Sequence, residues 1–328
     1  MIPAHGYPKL KKYPHLAGNY GGAWYKQKKE FSDLPGAILM TTNCVLIPTD
    51  YADNLFTTGN MMAVPGVRHV VASNGKKDFS AVIKRAMELP GFDEDAEDRT
   101  VLVGFGHATV LSVADKASGV GVVGTGMRVA GQRCMCFEKP TQATFSCEPT
   151  PPCPHPTQVL EAVSQGNLRH IFLVGGCDGR QPERKYYAEL VDALPQDTLV
   201  LTLGCAKYRF FDHDLGTLPN TPIPRLLDMG QCNDAYSAIA VASALADALG
   251  TDINSLPLSL DISWFEQKAV SILLTLLHLG VRNIRLGPKL PAFLTPDAVQ
   301  LIVDNWGLKT PNLKDPEADI RDMMGAAA

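Results

Sequence analysis

No stretch of this 328-residue chain stays apolar for long enough to cross a bilayer. The longest apolar run, AVSILLTLLHLGV, is short and interrupted, and the opening MIPAHGYPKLKKYPHL has no signal-peptide core. The chain therefore reads as soluble and cytoplasmic, with no membrane partner. An excess of one charge is missing too: 30 basic against 34 acidic residues leave a net charge of -4, so nothing marks a nucleic acid or polyanion as partner. The dinucleotide fingerprint is incomplete. TVLVGFGHATVLSVAD carries Gly104 and Gly106 but no third glycine, and tight strand-to-helix packing accounts for the two that are there. Finally, no Cys-x-x-Cys knuckle joins any two of Cys44, Cys177, Cys205 and Cys232, which removes the usual design of a structural zinc site.

What is present is a chain 45% apolar, large enough to bury one or two cores. Eight cysteines in so long a chain do not form a disulfide scaffold, so metal or redox chemistry is the better reading. A first segment, from Met1 to about Thr100, mixes turns with short strands such as GAILMT and one helix, FSAVIKRAMEL, whose Phe79, Val82, Ile83, Ala86 and Met87 share a face. FDEDAEDRT reads as a solvated acidic loop. A second segment alternates helix and strand: QVLEAVSQG, HIFLVGG, RKYYAELVDAL, TLVLTLG, NDAYSAIAVASALADALG, SLPLSLDIS, WFEQKAVSILLTLLHLG, VRNIRLG and TPDAVQLIVDNWG. That alternation predicts a parallel sheet, with the WFEQKAVSILLTLLHLG helix buried and Thr295 and Pro296 opening the last helix.

In an open parallel sheet, ligands sit beyond the carboxyl ends of the strands. Cys44, Cys177 and Cys205 each follow an expected strand, Glu266 follows LSLDIS, and Cys232 stands just ahead of a helix N-terminus that favours a thiolate. One such cysteine is more simply a small buried apolar residue. Four thiols and a carboxylate at equivalent positions point instead to a metal group. Soft thiolates from separate loops suit zinc or iron–sulfur chemistry, and a cluster of several irons takes ligands from loops far apart in sequence.

The segments MIPAHGYPKLKKYPHLAGNYGGAW, GAILMTTNC, HIFLVGGCDGR, LTLGCAKYRF, RLLDMGQCNDAYSA and SWFEQKAV resemble the hybrid cluster protein family, the prismane proteins or hydroxylamine reductases, over nearly the whole chain. The resemblance implies an α/β fold with two Rossmann-like parallel-sheet domains in three α/β/α layers, here residues 1–103 and 104–328. It implies that Cys44, Cys177, Cys205, Cys232 and Glu266 are ligands of a hybrid 4Fe–2O–2S cluster, with Cys177 carried as a persulfide and Lys268 near the open face as proton donor. The activity implied is reduction of hydroxylamine to ammonia and water, with nitric oxide and peroxide as further substrates, and the implied partner is an electron-donor protein.

Two departures from the family stand out. The glutamate and histidine ligands that the family carries upstream, and its N-terminal domain with a second 4Fe–4S or 2Fe–2S cluster, have no counterpart in this chain, so the expected activity is impaired. His5 and His15 match family segments in place and read as structural. The second departure is an insert at 117–157, rich in Gly, Pro, Ser and Thr, that reads as disordered. Its Cys134, Cys136, Cys147, Cys153 and His155 fit no familiar zinc spacing.

Three function classes follow. The first is a redox enzyme of the hybrid cluster type, and the second a non-catalytic remnant holding a partial cluster. A nickel enzyme resembling carbon monoxide dehydrogenase is the weakest of the three, because SWFEQKA and HIFLVGGCDGR match the hybrid cluster branch.

Overall fold

The computed structural model describes residues 23–42, 44–59, 63–92, 101–102, 134–135 and 161–325. The described residues before Arg99 belong to one compact unit and those after Thr100 to a second.

In the first unit, helix α1 (Gln27–Ser32) precedes three short parallel strands, β1 (Ile38–Met40), β2 (Leu55–Thr58) and β3 (Arg68–Val70), in that spatial order. The middle strand β2 is buried at every position, as a parallel strand covered on both faces must be. A hairpin of β4 (Ala72–Ser73) and β5 (Lys76–Lys77) turns through Asn74 and Gly75, both at positive φ, which is the backbone of a tight two-residue turn. Helix α2 (Ser80–Glu88) forms where the spacing predicts it. Its apolar face is not packed within the described residues: Ile83 is 59% and Met87 82% exposed.

The second unit begins with a two-residue antiparallel pair, β6 (Val101–Leu102) and β7 (Cys134–Met135). Apart from these strands, the expected Gly104–Gly106 turn and the insert with Cys136, Cys147, Cys153 and His155 lie outside the described residues, as do His5, His15 and most of the acidic loop. Residues 161–164 are helical, as predicted. Then come β8 (His170–Gly176), α3 (Tyr186–Ala193), β9 (Thr198–Thr202), β10 (Leu226–Asp228), α4 (Ala235–Leu249), β11 (Leu258–Ser263), α5 (Gln267–His278), β12 (Arg285–Gly287), α6 (Pro296–Trp306) and α7 (Pro316–Met323). The five strands β8 to β12 are all parallel and lie in the order β10-β9-β8-β11-β12.

Alternation along the strands builds three layers. Phe172 and Val174 of β8 pack with Tyr186, Leu190 and Ile320 on the α3 and α7 face. Leu260 and Ile262 of β11 pack with Leu273, Leu276 and Leu277 of α5 on the other. Burying each such side chain is worth about 1.5–3 kcal/mol. Helix α5 starts at Gln267 and not at the expected Trp264, and it is buried along one stripe, Ala269, Leu273, Leu276 and Leu277, while Leu274 is 57% exposed. Its amphipathic surface is what a helix on the outside of a three-layer fold requires. Helix ends obey local chemistry: Thr295 Oγ1 accepts from Ala298 N–H at 3.2 Å, and Gly250 and Gly307 close α4 and α6 in the left-handed region. Among the described residues, no helix is long and apolar enough to cross a membrane.

Candidate metal centre

The strand order reverses direction between β8 and β11, and ligands of open α/β sheets gather beyond the carboxyl ends at such a point. Cys177 follows β8 directly, and Glu266 lies beyond the end of β11. Cys205 opens a short 3-10 turn (Cys205–Arg209) after β9, and Cys232 opens another (Cys232–Asp234) after β10. Four neighbouring strands thus each deliver one of the expected ligands to the same rim.

Two glycines let these ends close on one another. Gly176 pairs with Gly204 as an isolated parallel bridge. A Cβ on Gly176 would stand 2.2 Å from the Ser263 carbonyl oxygen, and one on Gly204 would stand 2.5 Å from the Gly176 carbonyl oxygen. Both have positive φ, 110° and 75°, which glycine alone adopts without strain. The Cys232 Sγ lies 3.4 Å from the same Cβ position, so the thiol of the β10 end lies against the backbone that carries Cys205.

Cys177 is the most buried of the thiols, at 5% exposure. Its backbone N–H donates to the Ser263 carbonyl oxygen at 2.7 Å, and its Sγ accepts from the Glu266 N–H at 3.4 Å. Burial pushes the Cys177 thiol up to about 12, the Glu266 N–H draws it down, and the neighbouring Cys232 and Cys205 sulfurs raise it further. A buried thiol whose ionisation two neighbouring sulfurs oppose fits a cationic group, because thiolates bound to a metal are deprotonated outright. Among the described residues, no three His, Cys, Asp or Glu side chains close around a single metal ion. A multi-iron cluster, whose ligands sit on separate irons, suits thiols spread over several loops.

Glu266 is the N-cap residue of α5 by its backbone, but its side chain does not cap the helix. Lys268 lies half-buried on the first turn of the same helix. Cys44 belongs to the first unit, where it follows β1. There the buried amide of Gln27 holds its loop: Nε2 donates to the Cys44 carbonyl oxygen, and Oε1 accepts from Leu46 N–H at 3.2 Å. The sequence reading missed Gln27, and it missed three cations around the rim, the buried Arg184 and Lys207 and the partly buried Arg209. The mostly apolar stretch CAKYRFF marked Lys207 and Arg209 only weakly, and Arg184, within PERK, had no such signal.

A cavity of about 120 Å³ lies between the sheet and α4, and Cys232 is part of its wall. The rest of its lining is mainly apolar, with Leu173, Leu201, Ala238 and Ile262 among it.

The Prismane/CO dehydrogenase family matches residues 1–321. The chain is 50% identical over 325 residues to a hydroxylamine reductase of Thermodesulfovibrio yellowstonii, covering 99% of this chain and 51% of the relative. It is 49% identical over 326 residues to one of Moorella thermoacetica, covering 99% of this chain and 64% of the relative. The chain thus spans about half to two thirds of the length of these curated relatives. A nickel-free carbon monoxide dehydrogenase from Thermococcus superposes with a TM-score of 0.55 at 18% identity, over 93% of this chain and 48% of the other, which supports the fold. By the match along its length and by these relatives, the chain belongs to the Prismane/CO dehydrogenase family.

Proposed function

We propose that this chain carries the redox site of an iron–sulfur oxidoreductase that reduces hydroxylamine, with Cys177, Cys205, Cys232 and Glu266 among the ligands of a hybrid 4Fe–2O–2S cluster. Cys44 joins the ligand set on the family resemblance alone. The observation that carries the reading is the placement of Cys177, Cys205, Cys232 and Glu266 beyond the carboxyl ends of four neighbouring strands at the switch point of the sheet, with the Cys205 and Cys232 sulfurs close enough to raise the Cys177 thiol. The relatives named hydroxylamine reductase support the choice of substrate. The proposal sets the protein in the cytoplasm, where thiols stay reduced, with a separate protein as electron donor.

When bound, such a cluster supplies stored electrons and an iron with an open position. The balance of the reaction is two electrons and two protons taken up by hydroxylamine, cleavage of the N–O bond, and release of ammonia and water. The protein's part is to hold sulfur and move protons. The Glu266 N–H stabilises charge on the Cys177 sulfur. The Lys268 Nζ, on the first turn of α5, is the candidate donor of a proton to the departing oxygen.

A second reading has its own observation. The cavity wall that includes Cys232 is mostly apolar, which favours an uncharged diatomic over hydroxylamine. Nitric oxide fits, two molecules taking up two electrons and two protons to give nitrous oxide and water.

The test is anaerobic reconstitution with iron and sulfide, followed by a reduced-viologen assay that counts ammonia. The expected result is slow formation of ammonia in step with viologen oxidation, and a further fall of about 10²- to 10⁴-fold in kcat for Lys268→Gln. Viologen oxidation without ammonia from the reconstituted chain would contradict hydroxylamine as substrate.

A further inference from the structure

The ends of β10, β9, β8 and β11 are neighbours in the sheet, and a basic side chain bridges each gap between them. Lys207, on the turn opened by Cys205, sends its Nζ to Asp228 Oδ2 at 2.7 Å and to the Gly230 carbonyl oxygen at 2.8 Å, on the segment leading to Cys232. Arg209, at the end of the same turn, donates from Nε to Asp178 Oδ1 at 2.5 Å and from Nη2 to the Gly179 carbonyl oxygen at 2.6 Å, just past Cys177. Arg184 donates from Nη1 to Ser263 Oγ at 2.6 Å and from Nη2 to the Trp264 carbonyl oxygen at 2.8 Å, on the path to Glu266. Each cation therefore leaves its own loop and makes two hydrogen bonds to the next.

These cations are expensive places for charge. Lys207 is 3% and Arg184 2% exposed, and the Arg209 side chain 21%. Apolar residues of like shape stabilise such positions as well as buried ion pairs do, so stability alone does not account for them. Their common property is geometric. Arg184 also donates from Nε to Gln181 Oε1 at 2.7 Å within its own loop, but each of the six bonds above fixes the distance between two loops that carry a candidate ligand.

We infer that Lys207, Arg209 and Arg184 are positioning residues that set the spacing of the ligand loops before any cluster is present, each cation governing one gap. The inference rests on the proposed reading of these cysteines and Glu266 as ligands of one group. Preformed spacing lowers the ordering cost of assembly, because the ligands need not be gathered as the metal arrives.

The test uses the 328-residue chain free of metal and under reducing, anaerobic conditions. Two readouts are taken: bridging of Cys205 to Cys232 by dibromobimane, identified by peptide mass spectrometry, and the rate at which iodoacetamide alkylates Cys177. Charge partners are removed together, as Lys207→Met with Asp228→Asn and as Arg209→Met with Asp178→Asn, so that no buried charge is left alone. The Lys207 pair is expected to cut Cys205–Cys232 bridging about tenfold and leave Cys177 alkylation within about twofold; the Arg209 pair is expected to speed Cys177 alkylation about tenfold and spare the bridging. Circular dichroism confirms folding. Should a pair fail to fold, Lys207→Arg and Arg209→Lys carry the same readouts, each moving only its own. Folded variants in which neither readout changes, or in which both move together, overturn the inference. Because no metal is used, a failure of the cluster reading shows separately, as iron-free protein after reconstitution.

Discussion

The backbone N–H of Glu266 donates to the Sγ of Cys177 at 3.4 Å, across 89 residues of sequence. That one bond joins the ends of the two strands that flank the switch point, β8 and β11, and puts a donor on a buried sulfur before any metal is bound. The sulfur is buried, so its thiol form dominates, while Cys205 and Cys232 are only half-buried.

The metal-free chain should therefore alkylate unevenly. At pH 8, iodoacetamide is expected to modify Cys205 and Cys232 at least about tenfold faster than Cys177, because reactivity follows exposure and thiolate content. Peptide mapping of a time course checks this. Equal rates at the three sites would contradict the burial of Cys177.

Gly204 and Gly216 form a matched pair for testing the closure of the rim. Both have positive φ, 75° and 70°, but a Cβ at Gly204 collides with the Gly176 carbonyl oxygen while one at Gly216 meets open space. Gly216→Ala is expected to cost about 1 kcal/mol from backbone strain alone, and Gly204→Ala roughly 2–3 kcal/mol more. Urea unfolding of the two variants checks the difference. Equal losses would mean that the ends of β8 and β9 do not approach as closely as described.

Asp261 gives a pH signature to the second unit's core. Tyr186 Oη lies 2.8 Å from Asp261 Oδ2 and 2.7 Å from Asp319 Oδ2, and one hydroxyl proton cannot serve two carboxylates. Burial pushes Asp261 up from 3.8 to about 7, against the pull of Tyr186 and Arg285 and with Asp319 adding to the rise, so Asp261 keeps its proton well above the usual carboxylate range. A carboxyl raised by folding binds more protons in the native state than in the unfolded one, so its contribution to stability is present below about pH 4 and is lost as pH rises to about 7. Asp261→Asn keeps a donor toward Tyr186 and removes the titration. The stability difference between variant and parent is expected to shift in the variant's favour by up to about 4 kcal/mol between pH 4 and pH 7. Denaturant unfolding across that range measures it, and a difference that stays flat would show that Asp261 is ionised throughout.

Filling the cavity beside Cys232 separates the two substrate readings. Ala238 is 9% exposed and lies in the cavity wall. In reconstituted protein, Ala238→Leu is expected to slow nitric oxide consumption several-fold while leaving hydroxylamine reduction within about twofold, since an apolar cavity serves the apolar ligand. Electrode and ammonia assays on one preparation report both rates. A larger loss with hydroxylamine than with nitric oxide would assign the cavity to the wrong substrate.

Much of this fold was legible because its strands are long enough to carry a pattern. HIFLVGG coincides with β8, and Thr295 and Gly307 bound α6 as their chemistry dictates. The strand β10 was not legible: Leu226–Asp228 is too short to show a period, and it is held by Arg225, whose guanidinium donates to the carbonyl oxygens of Leu194, Pro195, Thr198 and Leu215. No local signal announces such long-range bonds. The same holds at the site. A glycine before a cysteine was visible at Cys177 and Cys205, and with it the strand-end placement. The cations bridging the loops were not, because each reads in sequence as an ordinary surface charge until its partner on another strand is known.

The central claim is that Cys177, Cys205 and Cys232 hold one iron–sulfur group between them. Its most direct measurement is the iron and acid-labile sulfide bound per chain after anaerobic reconstitution and gel filtration, with electron paramagnetic resonance of the reduced protein. The parent chain is expected to retain iron and sulfide together and to show a cluster signal, and the combined variant Cys177→Ser, Cys205→Ser, Cys232→Ser to retain neither while folding normally. Iron and sulfide bound equally by parent and variant would contradict the claim.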